Sequence, residues 1–383
     1  MADIFLAPGK VISGSHALES AAETIGGMGK KALVVTDAMM EKLGNLDKLT
    51  CMLSESGVSY AVYADINGEP DDRMVERGVR LYQEEKCDFL VGLGGGSPID
   101  SMKAIAMITE YGGKPADYMG KTIIRRLPPM AAIPTTAGTG SEATQFTIIT
   151  DRSSQVKMLL KGPSLMPDVA VIDPRFTITA PPKITAATGV DALTHAIEAY
   201  TSRKAQPLSD TFALSACRRI FGSLKNAWEH GEDVESRIQM SLASLEAGMA
   251  FNNSSVTVVH GMSRPVGALY HVPHGISNAM LLNVCLEYIA DGAEDRFADI
   301  AVNCGFAEEG DRRDKAAAAL LKETAQLLKD IQIPTLEEYG INREDFWKNI
   351  PKMARDAYAS GSPSNTRKEI TAEVMEELYR RLW

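Results

Sequence analysis

Short β-type runs alternate with helical patterns as far as Pro181-Pro182, after which long Ala/Leu/Glu-rich helical stretches take over. That switch restricts the chain to an α/β unit built from parallel βαβ repeats, followed by a mostly helical one. Lys31 to Thr36, Val58 to Tyr63, Asp88 to Gly92, Met130 to Ile133 and Val169 to Ile172 read as strands, with a helix from about Asp71 to Lys86. Beyond the proline pair, helices are expected over Ile184 to Tyr200, Ser209 to Trp228 and Ser236 to Ala250, with later packing helices at Asp314 to Asp330 and Thr371 to Leu382. A chain of 383 residues exceeds what one core organises, so we place domains at 1–181 and 182–383. Neither a repeat nor a low-complexity linker separates them, so direct packing is expected.

The bulk numbers exclude several partner classes. No apolar run approaches the roughly 18 residues of a membrane span, and the start Met1-Ala2-Asp3-Ile4-Phe5 lacks a basic segment before an apolar one. A cytoplasmic location is therefore expected. A net charge of -10 opposes general affinity for nucleic acid. The five cysteines are scattered without CxxC spacing, which predicts neither a disulfide framework nor a thiolate metal site.

Two polar loops follow predicted strands. In Gly92-Leu93-Gly94-Gly95-Gly96-Ser97-Pro98-Ile99-Asp100, three consecutive glycines lead into a helical pattern, where free backbone N–H groups and the helix dipole favour an anion such as pyrophosphate. The spacing is not the GxGxxG fingerprint, and a tight turn packing a helix on a sheet fits this loop equally well taken alone. The second loop, Pro134 to Glu142, offers the hydroxyls of Thr135, Thr136, Thr139 and Ser141. Together the loops suit a dinucleotide at the carboxyl edge of an open sheet. We therefore take Gly94, Gly95, Gly96, Ser97, Asp100, Thr135, Thr136, Thr139, Ser141 and Lys157 as candidate cofactor contacts.

Asp37, just beyond the first of these strands, can accept from a ribose hydroxyl or cap a helix. In the first role it would repel a 2′-phosphate by ~4 kcal/mol at about 4 Å and an effective dielectric near 20, roughly a thousandfold in affinity. NAD is accordingly expected in preference to NADP.

Four of the six histidines, His195, His260, His271 and His274, fall within 80 residues of one another. Asp191 and His195 stand at i and i+4, on one helix face. With His260 and His274 they make a carboxylate and three imidazoles, a donor set suited to one Fe²⁺ or Zn²⁺ ion. His271 is a candidate proton relay, an outer partner or a packed side chain.

These blocks, with Phe5 to Lys10, Thr185 to Tyr200 and His260 to Gly275, resemble the metal-dependent group III, or iron-activated, alcohol dehydrogenases, which include lactaldehyde, propanediol and butanol dehydrogenases. The resemblance implies an N-terminal α/β nucleotide-binding domain and an all-α C-terminal domain carrying Asp191, His195, His260 and His274 as metal ligands. It also implies NAD(P) in the cleft between them, a small aldehyde or alcohol as substrate, and a homodimer or larger homo-oligomer. Several family members carry a histidine four residues after the first of the late histidines, where this chain has Arg264. Arginine cannot act as a neutral base; Arg264 instead fits an ion pair with a nearby carboxylate or the anionic head group of a substrate such as sulfoacetaldehyde or a semialdehyde. A dehydroquinate-synthase-like lyase shares the architecture but differs in ligand pattern, and a non-catalytic NAD sensor would be expected to have lost ligands that are all present here.

Overall fold

The computed structural model describes residues 2–154 and 156–383. They divide into two compact units, one Leu6–Ala180, the other Pro181–Trp383 with the residues up to Phe5. Each is described by itself.

The first unit is built on a parallel sheet. Its strands, in chain order, are β1 (Lys10–Ser13), β2 (Lys31–Val35), β3 (Ser59–Tyr63), β4 (Phe89–Gly94), β5 (Met130–Pro134) and β8 (Val169–Ile172); β6 (Phe146–Asp151) and β7 (Val156–Lys161) form a separate antiparallel ribbon. The main sheet runs in the order β1-β8-β5-β4-β2-β3. Side chains alternate along β2, Leu33 and Val35 entering one core and Ala32 and Val34 the other, so the sheet is covered on both faces.

The order fixes where a ligand is met. From β2 the chain moves outward to β3, then returns across β2 to β4 and continues the other way to β5. The carboxyl ends of β2 and β4 thus flank a topological switch point, the position where open α/β sheets bind ligands. Asp37 follows the first of these strands, and the Gly94-Gly95-Gly96 run ends the second.

The second unit is helical throughout. Its leading helices are Pro182–Thr201, Pro207–Glu229, Val234–Ser254, Val258–Tyr270 and His274–Ile289. Pro182 and Pro207 each occupy the first helical position, where a missing N–H costs nothing. Asp233 caps the third by accepting from Ser236 N. No helix among the described residues is long and apolar enough to cross a membrane.

Three strands lie outside the sequence reading. β1 has only four residues and an exposed pattern at the sheet edge, so neither length nor alternation marks it. In the β6–β7 ribbon the buried positions of β7 are only Met158 and Leu160, flanked by lysines, which weakens its period-2 signal. All five cysteines are free thiols; Cys87, Cys217 and Cys285 are buried, whereas Cys51 is exposed and Cys304 partly so.

Candidate metal centre and cofactor loops

In the helical unit, Asp191 and His195 lie one turn apart on helix Pro182–Thr201, and both are buried. His260 is the third residue of helix Val258–Tyr270, and its Nε2 comes within 3.7 Å of Asp191 Oδ1. One ligand atom from each of these three residues lies within 4.8 Å of the others. His274 opens the next helix, with Nε2 also 3.7 Å from Asp191 Oδ1 and its side chain 46% exposed. Its approach depends on Gly275, where a Cβ would meet the Ala187 carbonyl oxygen at 2.2 Å. Any larger residue would force the two helices apart and take His274 away from Asp191.

The rings are held from several sides. His195 stacks between Phe251 and His260, with ring centroids 4.1 and 4.4 Å away. Burial pulls its pKa down to about 3, keeping the imidazole neutral, as a metal ligand must be. Burial pushes the Asp191 carboxyl up, but the surrounding imidazoles outweigh it and hold the group ionised.

Two further residues complete the cluster, and the sequence reading gave neither a role. Glu198, on the same helix as Asp191 and fully buried, accepts from Thr257 Oγ1 and Val259 N at 2.6 Å each, and its Oε2 lies 2.5 Å from His260 Nδ1. It therefore caps the start of the His260 helix and fixes the ring, as carboxylates behind metal-bound histidines do. Asn278, one turn after His274, donates from Nδ2 to Asp191 Oδ1 at 2.7 Å, with His260 Nε2 and His274 Nε2 at 3.2 and 3.3 Å. The available signals were spacings: Glu198 is seven residues from Asp191, and Asn278 four from His274.

The donor set fits a divalent first-row ion. Metal bonds of about 2.1 Å place tetrahedral ligand atoms ~3.4 Å apart, close to the 3.7 Å separations of Asp191 Oδ1 from the two imidazole nitrogens. His195 Nδ1 is buried without a hydrogen-bond partner, and the Asn278 amide shows that three donor atoms converge on one point.

Arg264 follows His260 by one turn. Its guanidinium has no hydrogen bond or ion pair among the described residues, so the ion pair considered from sequence is not formed. Burial lowers its pKa while the Glu198 charge opposes that shift. His271 lies at the end of the same helix, exposed and in a left-handed conformation with φ 54°.

In the α/β unit, Gly94 has φ +149°, and a Cβ there would meet Pro98 Cγ at 2.5 Å and Asp37 Oδ2 at 3.3 Å. The nearness to Asp37 joins the ends of β2 and β4. Asp37 caps helix Ala38–Lys42 through Oδ1, which accepts from Met39 N at 2.8 Å and Met40 N at 3.2 Å. Capping by one carboxylate oxygen leaves the other beside the glycine loop.

The next helix, Gly96–Tyr111, starts from Gly95 without a side-chain cap. The threonine loop is tied to the glycine loop by Thr135 N donating to Gly94 O at 2.9 Å, and Thr136 and Thr139 pack against Gly95 and Gly96. Ser97 sits in the first turn of that helix, while Asp100 Oδ2 accepts from Ile148 N at 2.9 Å. Burial raises the Asp100 pKa. Lys157 lies on β7 and pairs with Glu69 at 2.5 Å.

Behind these loops the sequence reading missed a buried ionisable pair. Lys103 Nζ donates to the carbonyls of Ser141, Thr144 and Phe146 and to Thr144 Oγ1, at 2.6–3.0 Å, pinning the loop that carries Ser141. Burial pulls its pKa down to about 8. Glu142 is 1% exposed, both carboxylate oxygens lack partners, and burial pushes its pKa up to about 7.

Two family models cover nearly all of the chain: iron-containing alcohol dehydrogenase over residues 8–174, and the C-terminal part of the iron-containing alcohol dehydrogenase family over 185–383. The chain belongs to the iron-containing alcohol dehydrogenase family. It is thus an oxidoreductase of the alcohol dehydrogenase class. Among relatives of this dehydrogenase, the 1,3-propanediol dehydrogenase of Citrobacter freundii is 38% identical over 91% of this chain and 90% of its own. The crystal structure of a 1,3-propanediol oxidoreductase superposes with a TM-score of 0.96 at 35% identity, each chain fully covered. A sulfoacetaldehyde reductase from Bifidobacterium kashiwanohense, solved with NAD⁺, gives 0.90 at 29% identity, covering 100% of this chain and 99% of its own. The α/β and all-helical halves of this dehydrogenase are those expected from its sequence.

Proposed function

We propose that the protein interconverts a small primary alcohol and its aldehyde with NAD(H), using one Fe²⁺ or Zn²⁺ ion held by Asp191, His195, His260 and His274. The observation that carries the reading is the convergence of Asp191, His195 and His260, all buried, with a carboxylate behind His260. The NAD⁺ bound to the Bifidobacterium relative supports the choice of dinucleotide.

Once bound, the ion supplies Lewis-acid polarisation of the substrate oxygen, and NAD(H) carries the hydride. The protein's own groups do the rest. Glu198 keeps the His260 Nδ1 proton and so presents Nε2 towards Asp191. The backbone N–H groups at Gly95, Gly96 and Ser97 receive the pyrophosphate, where the dipole of helix Gly96–Tyr111 adds to their attraction. Thr135, Thr136, Thr139 and Ser141 donate hydroxyls to the cofactor, and Asp37 accepts from the ribose through its non-capping oxygen. Asp100 holds β6 against helix Gly96–Tyr111. Lys157 can reach the cofactor by leaving Glu69, since an exposed pair of this kind contributes only about 0–1 kcal/mol. His271, exposed at the helix end, passes the hydroxyl proton to solvent.

The test is anaerobic reconstitution with Fe²⁺ or Zn²⁺, following NADH loss with propionaldehyde, lactaldehyde, succinic semialdehyde and sulfoacetaldehyde. Turnover that depends on the ion and vanishes on chelation is expected. Absence of turnover with either ion, despite bound NADH and metal, would overturn the assignment in favour of the lyase or sensor alternatives.

A further inference from the structure

A guanidinium withdrawn from water is normally paired, because an uncompensated charge in such a place is costly. Three other partly buried arginines follow the rule: Arg175 pairs with Asp173 and Glu19, Arg219 with Glu246, and Arg296 with Asp210. Arg264 does not. It is partly buried, its burial lowers its pKa, and no described residue pairs with its guanidinium. The carboxylate whose charge reaches it, Glu198, is already engaged by Thr257, Val259 and His260.

Its placement gives that unpaired charge a use. Arg264 and His260 are four residues apart on one helix, so their side chains leave on the same face about one turn apart. Asp191 and Glu198 together balance one divalent ion, and the imidazoles add no charge when neutral. Arg264 is then a surplus positive group beside the metal cluster. The planar fork of arginine matches the paired oxygens of a carboxylate, sulfonate or phosphonate, and a one-turn separation suits a substrate whose reacting carbon is only one to three atoms from its acidic group.

We propose that Arg264 binds the anionic head group of the substrate, making the enzyme selective for short aldehydes and alcohols that carry a carboxylate, sulfonate or phosphonate. This rests on the dehydrogenase reading above, since it takes the reacting oxygen to lie at the Asp191, His195 and His260 cluster. A neutral substrate of equal length leaves the guanidinium unpaired and is bound more weakly.

Two measurements on the metal-loaded protein separate the possibilities. The first compares kcat/KM for sulfoacetaldehyde, succinic semialdehyde and phosphonoacetaldehyde with that for propionaldehyde and butyraldehyde, in wild type, Arg264→Gln and Arg264→Lys. The second measures calorimetric binding of the alcohol-level anions isethionate and 3-hydroxypropanoate against 1-propanol, without NAD(H) and so without turnover. The expected result is an anionic preference that falls by ~10- to 100-fold in Arg264→Gln, is partly kept in Arg264→Lys, and is matched by loss of isethionate or 3-hydroxypropanoate binding. The head group preferred among the three identifies the substrate class.

Turnover of neutral and anionic aldehydes with equal efficiency, or an anionic preference unchanged in Arg264→Gln, would overturn the proposal and leave the dehydrogenase reading intact. Arg264-dependent binding of the anions without any NADH loss would do the reverse. If Arg264→Gln fails to fold, as circular dichroism would show, the wild-type substrate series and Arg264→Lys still decide.

Discussion

Glu198 Oε2 lies 2.5 Å from His260 Nδ1, while the opposite ring nitrogen of His260 stands 3.7 Å from Asp191 Oδ1. Glu198 and Asp191 come from a single helix seven residues apart, so one rigid element both supplies a ligand and aims another. The same carboxylate caps the helix that carries His260, which couples the start of that helix to the orientation of the ring.

Glu198→Gln keeps the size and one acceptor but loses the charge. Metal affinity is expected to fall about 10- to 100-fold, measured by competition with a chelator, with only a small change in melting temperature. Unchanged affinity would reduce Glu198 to a helix cap.

Metal removal should expose how much of the helical unit's stability is held by the cluster. Protein treated with chelator is expected to melt lower, and Fe²⁺ or Zn²⁺ at 100 times its dissociation constant should restore about 2.7 kcal/mol. His260→Ala should abolish both tight binding and this metal-dependent gain in differential scanning calorimetry. A variant that retains the gain would remove His260 from the ligand set.

How much of this was visible beforehand depended on whether each feature is local. The i, i+4 pair Asp191 and His195 and the glycine run after a buried strand are local patterns, and the structure places them as their spacing implies. Glu198 could not be assigned from sequence, because its partner His260 is 62 residues away and only folding brings the two together. Lys103 and Glu142 were hidden for a different reason: charged residues in an Ala/Ile-rich helix and a polar loop read as solvent-facing, whereas both are almost wholly enclosed. Arg264 stood out in the sequence as a departure, but whether a carboxylate neutralised it could be read only from the fold.

Asp37 combines a cap and a charge, and the two can be separated. Asp37→Ser keeps a capping oxygen for Met39 N and removes the charge, whereas Asp37→Ala loses both. The alanine variant should be less stable by ~1 kcal/mol while the serine variant melts near wild type. Both should narrow the preference for NADH over NADPH by at least about tenfold, the direction expected when like-charge repulsion of a 2′-phosphate is removed. A serine variant with unchanged cofactor preference would leave Asp37 as a cap alone.

Gly94 and Gly95 should respond differently to alanine. At Gly94 the positive φ and the 2.5 Å approach to Pro98 Cγ make a Cβ strained, so Gly94→Ala is expected to lose both stability, by roughly 1–3 kcal/mol, and NADH binding. At Gly95 the nearest atom to a new Cβ is Thr136 Oγ1 at 3.4 Å, an ordinary contact. Gly95→Ala should therefore melt near wild type while its methyl group obstructs the backbone N–H groups facing the pyrophosphate, and fluorescence titration with NADH should show weakened binding. Normal NADH affinity in Gly95→Ala would place the pyrophosphate elsewhere.

Glu142 makes a prediction about pH, because its carboxyl is enclosed with neither oxygen partnered. Burial raises its folded pKa from 4.5 to about 7, so the folded protein holds this proton across a range in which the unfolded chain has released it. The associated stability is fully present below pH 4.5 and is lost as pH rises through about 7, where ionisation leaves an unpaired buried carboxylate. Lys103 acts in the opposite sense at higher pH. Its pKa is lowered from 10.5 to about 8, so its contribution is present above 10.5 and lost as pH falls through about 8. Glu142→Gln cannot ionise and removes the first of these dependences. Its melting temperature relative to wild type should rise between pH 5 and 8, with a stability difference on the order of 3 kcal/mol at the upper end. A constant offset between the two proteins over that range would mean that the wild-type carboxyl is already ionised at pH 5 and that Lys103 or water stabilises it.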